Sequence, residues 1–310
     1  MIVTLTANTT MDQAMIVPEL KLNGVNRAAT TIHSIAAKPT DASWILGKHG
    51  IKTHALGFAA GAIGQKIRQI LEEQGVEVDF VEVEGESRLG IALIDEATGT
   101  ETTILPDTLR VRRHHIAELR VKFVAALQTA TCVIMGGSLP GGMDASFYTE
   151  FIKMARKQNV PVIMDVKPEV MRVALKAGVD FMKPNAEEFS GLVGAEMSTP
   201  EDIYEAAKLI QQRQGTSSIV SMGENGVVAV LPDRAYRIPA IPIKVVSAVG
   251  AGDAVLAGIA YAIGTGKPLE EGLRFGIGTA TAVCLQLGTA AFELEDAHRF
   301  MEQLELIPMN

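Results

Sequence analysis

The sequence predicts an α/β protein: a mainly parallel sheet with helices on both faces and a small antiparallel flap. Three observations carry this. From about residue 130 onward, short β-rich runs alternate with amphipathic stretches, the signature of a parallel sheet wound with helices. Between 76 and 105 that alternation breaks into two-residue periods around turn residues. The polar and glycine-rich segments fall where the predicted strands end, and ligands of open α/β sheets bind beyond the carboxyl ends of the strands.

The chain opens with Ile2-Val3-Thr4-Leu5 directly after Met1, with no basic segment before it, which reads as a strand and not a leader. Residues 14–33 offer strands for the flap. Ile63, Ile67, Ile70 and Leu71 share one helical face, and Gly75 stops that helix. Val76, Val78 and Phe80 alternate with polar residues, and 88–94 and 100–105 flank a turn at 95–99. Both stretches read as antiparallel flap strands. Strands then follow at 131–135, 160–165, 179–182 and 217–221, with helices at 143–158, 169–177, 186–193 and 200–213 between them.

A chain of 310 residues with 47% apolar and 21% charged residues can bury a sizeable core as a soluble globular protein. A net charge of −8 and no Lys/Arg block argue against a nucleic-acid partner, while a locally positive pocket for a small anion stays open. Cys132 and Cys284 sit in apolar runs and read as reduced, buried thiols. The longest apolar stretch, 245–266, holds Asp253 and five glycines, which argues against a membrane span. The cytoplasm is the expected location.

Four strand ends carry polar segments: 136–142, Asp165, 183–188 and 222–226. One alone is ordinary turn chemistry; four on one rim point to a cleft for a polyanion or a sugar. Val249-Gly250-Ala251-Gly252-Asp253 then leads into a long apolar helix. Glycines let the backbone approach a ligand, and a helix start offers unpaired N–H groups to a phosphate. On this segment alone Asp253 reads equally as a helix N-cap and as a base for phosphoryl transfer. The third glycine of a dinucleotide fingerprint is missing, and Gly266-Lys267 runs into Pro268 without the earlier glycine of a P-loop.

These residues resemble the ribokinase/PfkB carbohydrate kinases, most closely the branch of 1-phosphofructokinase and tagatose-6-phosphate kinase, over nearly the whole chain. The resemblance implies a ribokinase-like three-layer α/β fold with a mainly parallel central sheet. It implies one domain over 1–310, with a β-lid from about 13–35 and 86–106. Ala248-Val249-Gly250-Ala251-Gly252-Asp253 is similar to the C-terminal signature, which makes Asp253 the general base and Gly250, Ala251 and Gly252 part of an anion hole. Thr6-Ala7-Asn8-Thr9-Thr10-Met11-Asp12 resembles a segment whose aspartate binds substrate hydroxyls, which points to Asp12. Gly137-Ser138-Leu139-Pro140 resembles a substrate-side loop, hence Ser138. Lys183-Pro184-Asn185-Ala186-Glu187-Glu188 looks like an Asn-x-x-Glu motif. There Lys183, Asn185 and Glu188 would serve Mg²⁺-ATP, with Asn185 and Glu188 organising the ion indirectly. Ser221, Gly223 and Gly226 would form the nucleotide loop, and Gly288-Thr289 would close the adenine side. Arg27 and Arg88, the latter within Glu86-Ser87-Arg88, stand where basic residues would hold a substrate phosphate. A homodimer through the lid is a further implication.

One motif departs from the branch. Gly-Gly-Lys-Gly-x-Asn is expected at the sugar site, and the chain has Ala36-Ala37-Lys38-Pro39-Thr40-Asp41. Lys38 can still bind an anion, but an ionised Asp41 donates no hydrogen bond and repels a phosphate. The resemblance therefore implies ATP-dependent phosphorylation of a sugar or sugar phosphate. A kinase of an unphosphorylated sugar or nucleoside, or a non-catalytic sensor on the same fold, remains an alternative.

Overall fold

The computed structural model describes residues 1–106 and 109–309; positions 107, 108 and 310 of the domain expected over 1–310 lie outside the described residues. Its main sheet has ten strands among the described residues. Ile2–Thr6 lies third from one edge, flanked in parallel by Cys132–Gly136 and Thr53–Ala59. Parallel pairing continues through Val162–Asp165, Phe181–Met182 and Ser217–Ser221 on one side. On the other side it ends at Glu77–Glu82. The strand order reverses beside Ile2–Thr6, a topological switch point at which a crevice opens above the carboxyl ends.

Both faces of this sheet are buried, which is why its strands read as unbroken apolar runs. Val3, Leu5, Val133 and Met135 pack on one face with Phe147 and Phe151. Ile2, Cys132 and Ile134 face the other way and meet Ile45, Leu256 and Ile259. Those three residues belong to the helices Lys38–Lys48 and Ala251–Thr265, which pack against each other and carry the site. Buried hydroxyls fix the first helix to the strand Ile2–Thr6: Thr40 Oγ1 donates to Thr6 Oγ1 at 2.8 Å, and Thr4 and Ser43 share a hydrogen bond of 2.8 Å. Cys132 is buried and Cys284 half-buried, both as free thiols.

A separate four-stranded sheet forms the lid, in the order Thr30–Ala36, Thr10–Val17, Arg88–Asp95, Thr100–Ile104. Two expectations need correction. The two central lid strands pair in parallel, with Thr10 opposite Arg88, so the lid is a mixed sheet. Its outer pairs are antiparallel. The alternation at 76–80 belongs not to the flap but to Glu77–Glu82, the parallel edge strand of the main sheet. An edge strand with one solvated face produces the same two-residue period as a flap strand. Three further strands, Val227–Val230, Ala235–Ile238 and Ile307–Met309, extend the sheet in antiparallel fashion beyond Ser217–Ser221. No helix among the described residues is long and apolar enough to cross a membrane.

Candidate active site

The strand ends and two helix starts converge on one buried carboxylate. Asp165 ends the strand Val162–Asp165 and is 1% exposed. Its Oδ1 pairs with the ammonium of Lys38, and its Oδ2 lies 3.1 Å from that of Lys183. The second approach is an ion pair without hydrogen-bond alignment, since Asp165 Oδ2 has no hydrogen-bond partner among the described residues. Lys183 follows the strand Phe181–Met182 and is itself buried. Lys38, the first residue of its helix, also reaches Glu188 Oε1 at 3.5 Å. Burial works against the Lys38 charge, but the carboxylates of Asp165 and Glu188 prevail and hold it above the ordinary lysine range.

Asp253 stands three residues into the start of the helix Ala251–Thr265 and is buried. Burial, followed by the negative charge of Asp165, raises its pKa to about 7, against the opposing pull of Lys38 and Lys183. The turn before it demands glycine. Gly250 has φ 88°, and a Cβ there would overlap the backbone of Ala290. At Gly252 a Cβ would stand 2.9 Å from Lys183 Nζ, so the missing side chain lets that ammonium lie over the helix start. Two amides of the expected anion hole are already engaged: Ala251 N–H donates to Ala248 O at 3.3 Å, and Asp253 N–H to Gly250 O at 3.0 Å. The N–H groups of Gly250 and Gly252 donate to no protein oxygen among the described residues.

Between this helix start and the lid lies a cavity of about 300 Å³, lined among others by Asp12, Lys38, Asp41, Arg88, Glu101, Asp253 and Thr289. Asp12 accepts a hydrogen bond from Thr289 Oγ1 at 3.2 Å. Burial raises its pKa, while the Thr289 bond and the Arg88 charge oppose the rise. Arg88 Nε donates to Thr10 Oγ1 at 3.1 Å across the lid strands. The two residues before it are anchors: Glu86 Oε1 accepts from Ile63 N–H at 2.7 Å, and Ser87 Oγ accepts from Ala60 N–H at 3.0 Å. Asp41, 1% exposed, contacts the Asp253 carboxyl, and burial with that like charge pushes its own pKa well up. Burial beside Asp253 thus disfavours the ionised, phosphate-repelling form of Asp41.

A second group of residues lies beside the two lysines. Asn185 Oδ1 accepts from Glu188 N–H at 2.7 Å and Glu188 Oε2 from Asn185 N–H at 2.9 Å, a reciprocal cap on the helix Ala186–Val193. A bridge between Asn185 and Ser221 sets this turn next to the 221–226 loop, which closes as a 3₁₀ turn at Gly223–Asn225. Gly226, at φ 87°, ends that turn.

A family model described as pfkB family carbohydrate kinase matches residues 7–297. The chain belongs to the pfkB family of carbohydrate kinases. It is 29% identical to the tagatose-6-phosphate kinase of Staphylococcus epidermidis over 265 residues, 84% of either chain. To the 1-phosphofructokinase of Bacillus subtilis it is 30% identical over 258 residues, 83% of this chain and 84% of that one. Its fold is similar to the crystal structure of phosphofructokinase-2 from Escherichia coli in complex with fructose-6-phosphate. The TM-score is 0.86 at 26% identity, covering 97% of this chain and 98% of that one.

In this pfkB kinase, Asp12, Lys38, Asp41, Arg88 and Asp253 line one cavity. Arg27 does not join them: it is exposed on the loop between the lid strands Thr10–Val17 and Thr30–Ala36, and the turn there carries it outward. Ser138 is exposed and accepts a hydrogen bond from Asn8 Nδ2 at 3.2 Å, outside the cavity lining. Gly288-Thr289, expected over adenine, meets the lid, where Thr289 N–H donates to Ser34 Oγ at 3.1 Å. In the sequence Asp165 shows only as a polar strand end. Its part as the shared partner of Lys38 and Lys183 was not legible, because those residues are far apart in the chain. Glu101 on the lid carried no signal.

Proposed function

We propose that this carbohydrate kinase transfers the γ-phosphoryl group of ATP to a hydroxyl of a sugar phosphate, in the manner of a 1-phosphofructokinase or a tagatose-6-phosphate kinase. The observation that supports it best is Asp253: a buried carboxyl of raised pKa, at a helix start with two undirected N–H groups, facing the lid cavity. Asp253 takes the proton of the acceptor hydroxyl. The oxygen so released bonds to the γ-phosphorus as the bond from that phosphorus to the β–γ bridging oxygen breaks, and ADP leaves. Such a transfer needs positioning and charge stabilisation more than a strong base. The Gly250 and Gly252 amides and the Lys183 ammonium are placed to hold the transferred group, with Lys38 nearby. Asp12 and Arg88 receive the acceptor, its hydroxyls and its phosphate respectively.

The described residues include no grouping of three His, Cys, Asp or Glu side chains suited to a metal. Glu188, half-exposed beside Asn185, fits an ion carried mainly by phosphates and water, the usual manner of Mg²⁺. Asn185 and Glu188 would hold it indirectly, and when bound it would neutralise phosphate charge. Lys183 and the loop of Ser221, Gly223 and Gly226 complete the nucleotide side. The lid leaves Leu22, Val25, Ile104 and Leu105 exposed, apolar area that a homodimer through the lid would cover. The cytoplasm fits a kinase that draws on ATP.

A second reading, an unphosphorylated sugar or nucleoside as acceptor, is favoured by four carboxyls on the cavity wall (Asp12, Asp41, Glu101, Asp253) against the cations Lys38 and Arg88. One experiment tests both. ADP release is measured with fructose 1-phosphate, fructose 6-phosphate, tagatose 6-phosphate, the free sugars and nucleosides. Asp253→Asn is expected to lower kcat about 10³-fold with the accepted substrate. Near-wild-type turnover by that variant would remove Asp253 as the base, and absence of ATP consumption with every acceptor would favour a sensor.

A further inference from the structure

Asp41 has a free oxygen in a place where a polar atom needs a partner. It is 1% exposed, yet its Oδ1 has no hydrogen-bond partner among the described residues, and the residue lines the lid cavity. Its carboxyl lies within hydrogen-bonding reach of the Asp253 carboxyl. Two ionised carboxylates only accept hydrogen bonds, so this contact requires a proton held between them. The surrounding charges decide which partner keeps it. Asp253 faces Lys38 and Lys183, which favour its anion, and Asp165, which does not. Asp41 faces the acids Asp253 and Asp12 and gains only the backbone of Ala37. Lys38, on the same helix as Asp41, is committed to Asp165 and Glu188. From the lid, Arg88 and Glu101 both act on Asp12. The proton therefore belongs on Asp41.

We infer that Asp41 is a positioning residue for the base: as the neutral acid it donates a hydrogen bond to the Asp253 carboxylate, and its Oδ1 accepts one from a second hydroxyl of the acceptor. The acceptor class follows, a polyol with a hydroxyl next to the one that reacts. An asparagine would supply the same donor and acceptor at every pH. The acid supplies them only until its proton is lost, after which two adjacent carboxylates repel each other and any phosphate nearby. The acceptor class and the kinetic arm of the test rest on the kinase reading; the acid pair itself does not.

Protein labelled with ¹³C at the aspartate carboxyl carbons is titrated by NMR, together with Asp41→Asn, Asp41→Leu and Asp253→Asn. The resonance lost in Asp41→Asn is expected to keep its proton well above the ordinary aspartate range near 4. In Asp253→Asn it is expected to titrate lower by about one unit or more. An Asp41 carboxyl that titrates near 4, or that ignores Asp253→Asn, overturns the inference. In the kinetic arm, ATP is paired with whichever of fructose 1-phosphate, fructose 6-phosphate or tagatose 6-phosphate is consumed. Wild-type kcat/KM is expected to fall on the alkaline side, and Asp41→Asn to lose that fall. Asp41→Leu is expected to lower kcat about tenfold, with Asp41→Asn recovering most of it. An alkaline fall common to wild type and Asp41→Asn belongs to another group and also overturns the inference. If no sugar phosphate is consumed, the kinase reading fails, and the NMR titration still decides the pair.

Discussion

Replacing Asp165 by asparagine keeps its volume and removes one charge from the middle of the site. Asp165 is 1% exposed and holds two ammonium groups, that of Lys183 at 3.1 Å. At an effective dielectric of about 20, that single attraction is worth ~5 kcal/mol before desolvation. Part of it returns, because Lys183 also faces Asp253 and the amide oxygen still accepts a hydrogen bond. Orphaning a buried charge costs about 3–5 kcal/mol when nothing compensates, so a net loss of about 3 kcal/mol is expected. A protein of ordinary stability, about 5–15 kcal/mol, survives that loss, and the variant can be assayed folded. Urea unfolding at pH 7.5 reads the change as a lowered midpoint at constant slope. The chemistry should move as well. Asp253 loses the like charge that raises its pKa and keeps the two lysines that lower it. The acid limb of kcat/KM is therefore expected to shift to lower pH by about one unit. An unfolding free energy within about 0.5 kcal/mol of wild type would refute the claim that Asp165 neutralises the lysines. An unmoved acid limb would refute its influence on Asp253.

Three further outcomes follow from local geometry. Ala37 joins the lid to the helix Lys38–Lys48 at φ 107° and ψ 112°, where a Cβ is strained, so Ala37→Gly is expected to raise unfolding stability by about 1 kcal/mol in the same assay. Gly250→Ala forces a left-handed φ of 88° on a Cβ that overlaps Ala290, and thermal unfolding should show a loss of about 2 kcal/mol, with a fall in kcat as Asp253 is displaced. Asp253 has a folded pKa raised above its unfolded value near 4, so its protonated form stabilises the fold at low pH, and that stability is lost as pH rises through about 7. Asp253→Asn should therefore be more stable than wild type at pH 8 by on the order of 3 kcal/mol, and should lose that advantage at pH 4.

The strands of the parallel sheet were legible because both of their faces are buried and each run is bounded by turn residues. Cys132–Gly136 and Ser217–Ser221 fall within a residue of their expected limits. Pairing was less legible. Glu77–Glu82 has the period of a flap strand, and only its neighbour Thr53–Ala59 shows that it belongs to the parallel edge. The lid strands were found, but their parallel central pair was not, since period alone carries no direction. In the site, the segment ending in Asp253 was readable because its glycines and its carboxylate are consecutive. Asp165 was not, because its meaning lies in Lys38, 127 residues away in the chain. Asp41 was legible as a residue, and its surroundings were not. Sequence says that an acid stands there, but only the fold shows it buried beside Asp253, where its pKa is raised.

The altered motif divides along a physical line. Lys38 is the member of Ala36-Ala37-Lys38-Pro39-Thr40-Asp41 that pairs with both Asp165 and Glu188, the latter on the proposed nucleotide side. Without it both carboxylates would lose their shared cation. Three of the four changed positions, Ala36, Ala37 and Asp41, line the lid cavity. Pro39 occupies an early helix position where a missing N–H costs nothing. On the proposed reading, a chain altered in this way keeps the lysine–carboxylate cluster that would serve phosphoryl transfer and changes the surface that would meet the acceptor hydroxyls. On that reading, Ala37 and Asp41 are the two positions at which substitution should change substrate preference before it changes the use of ATP.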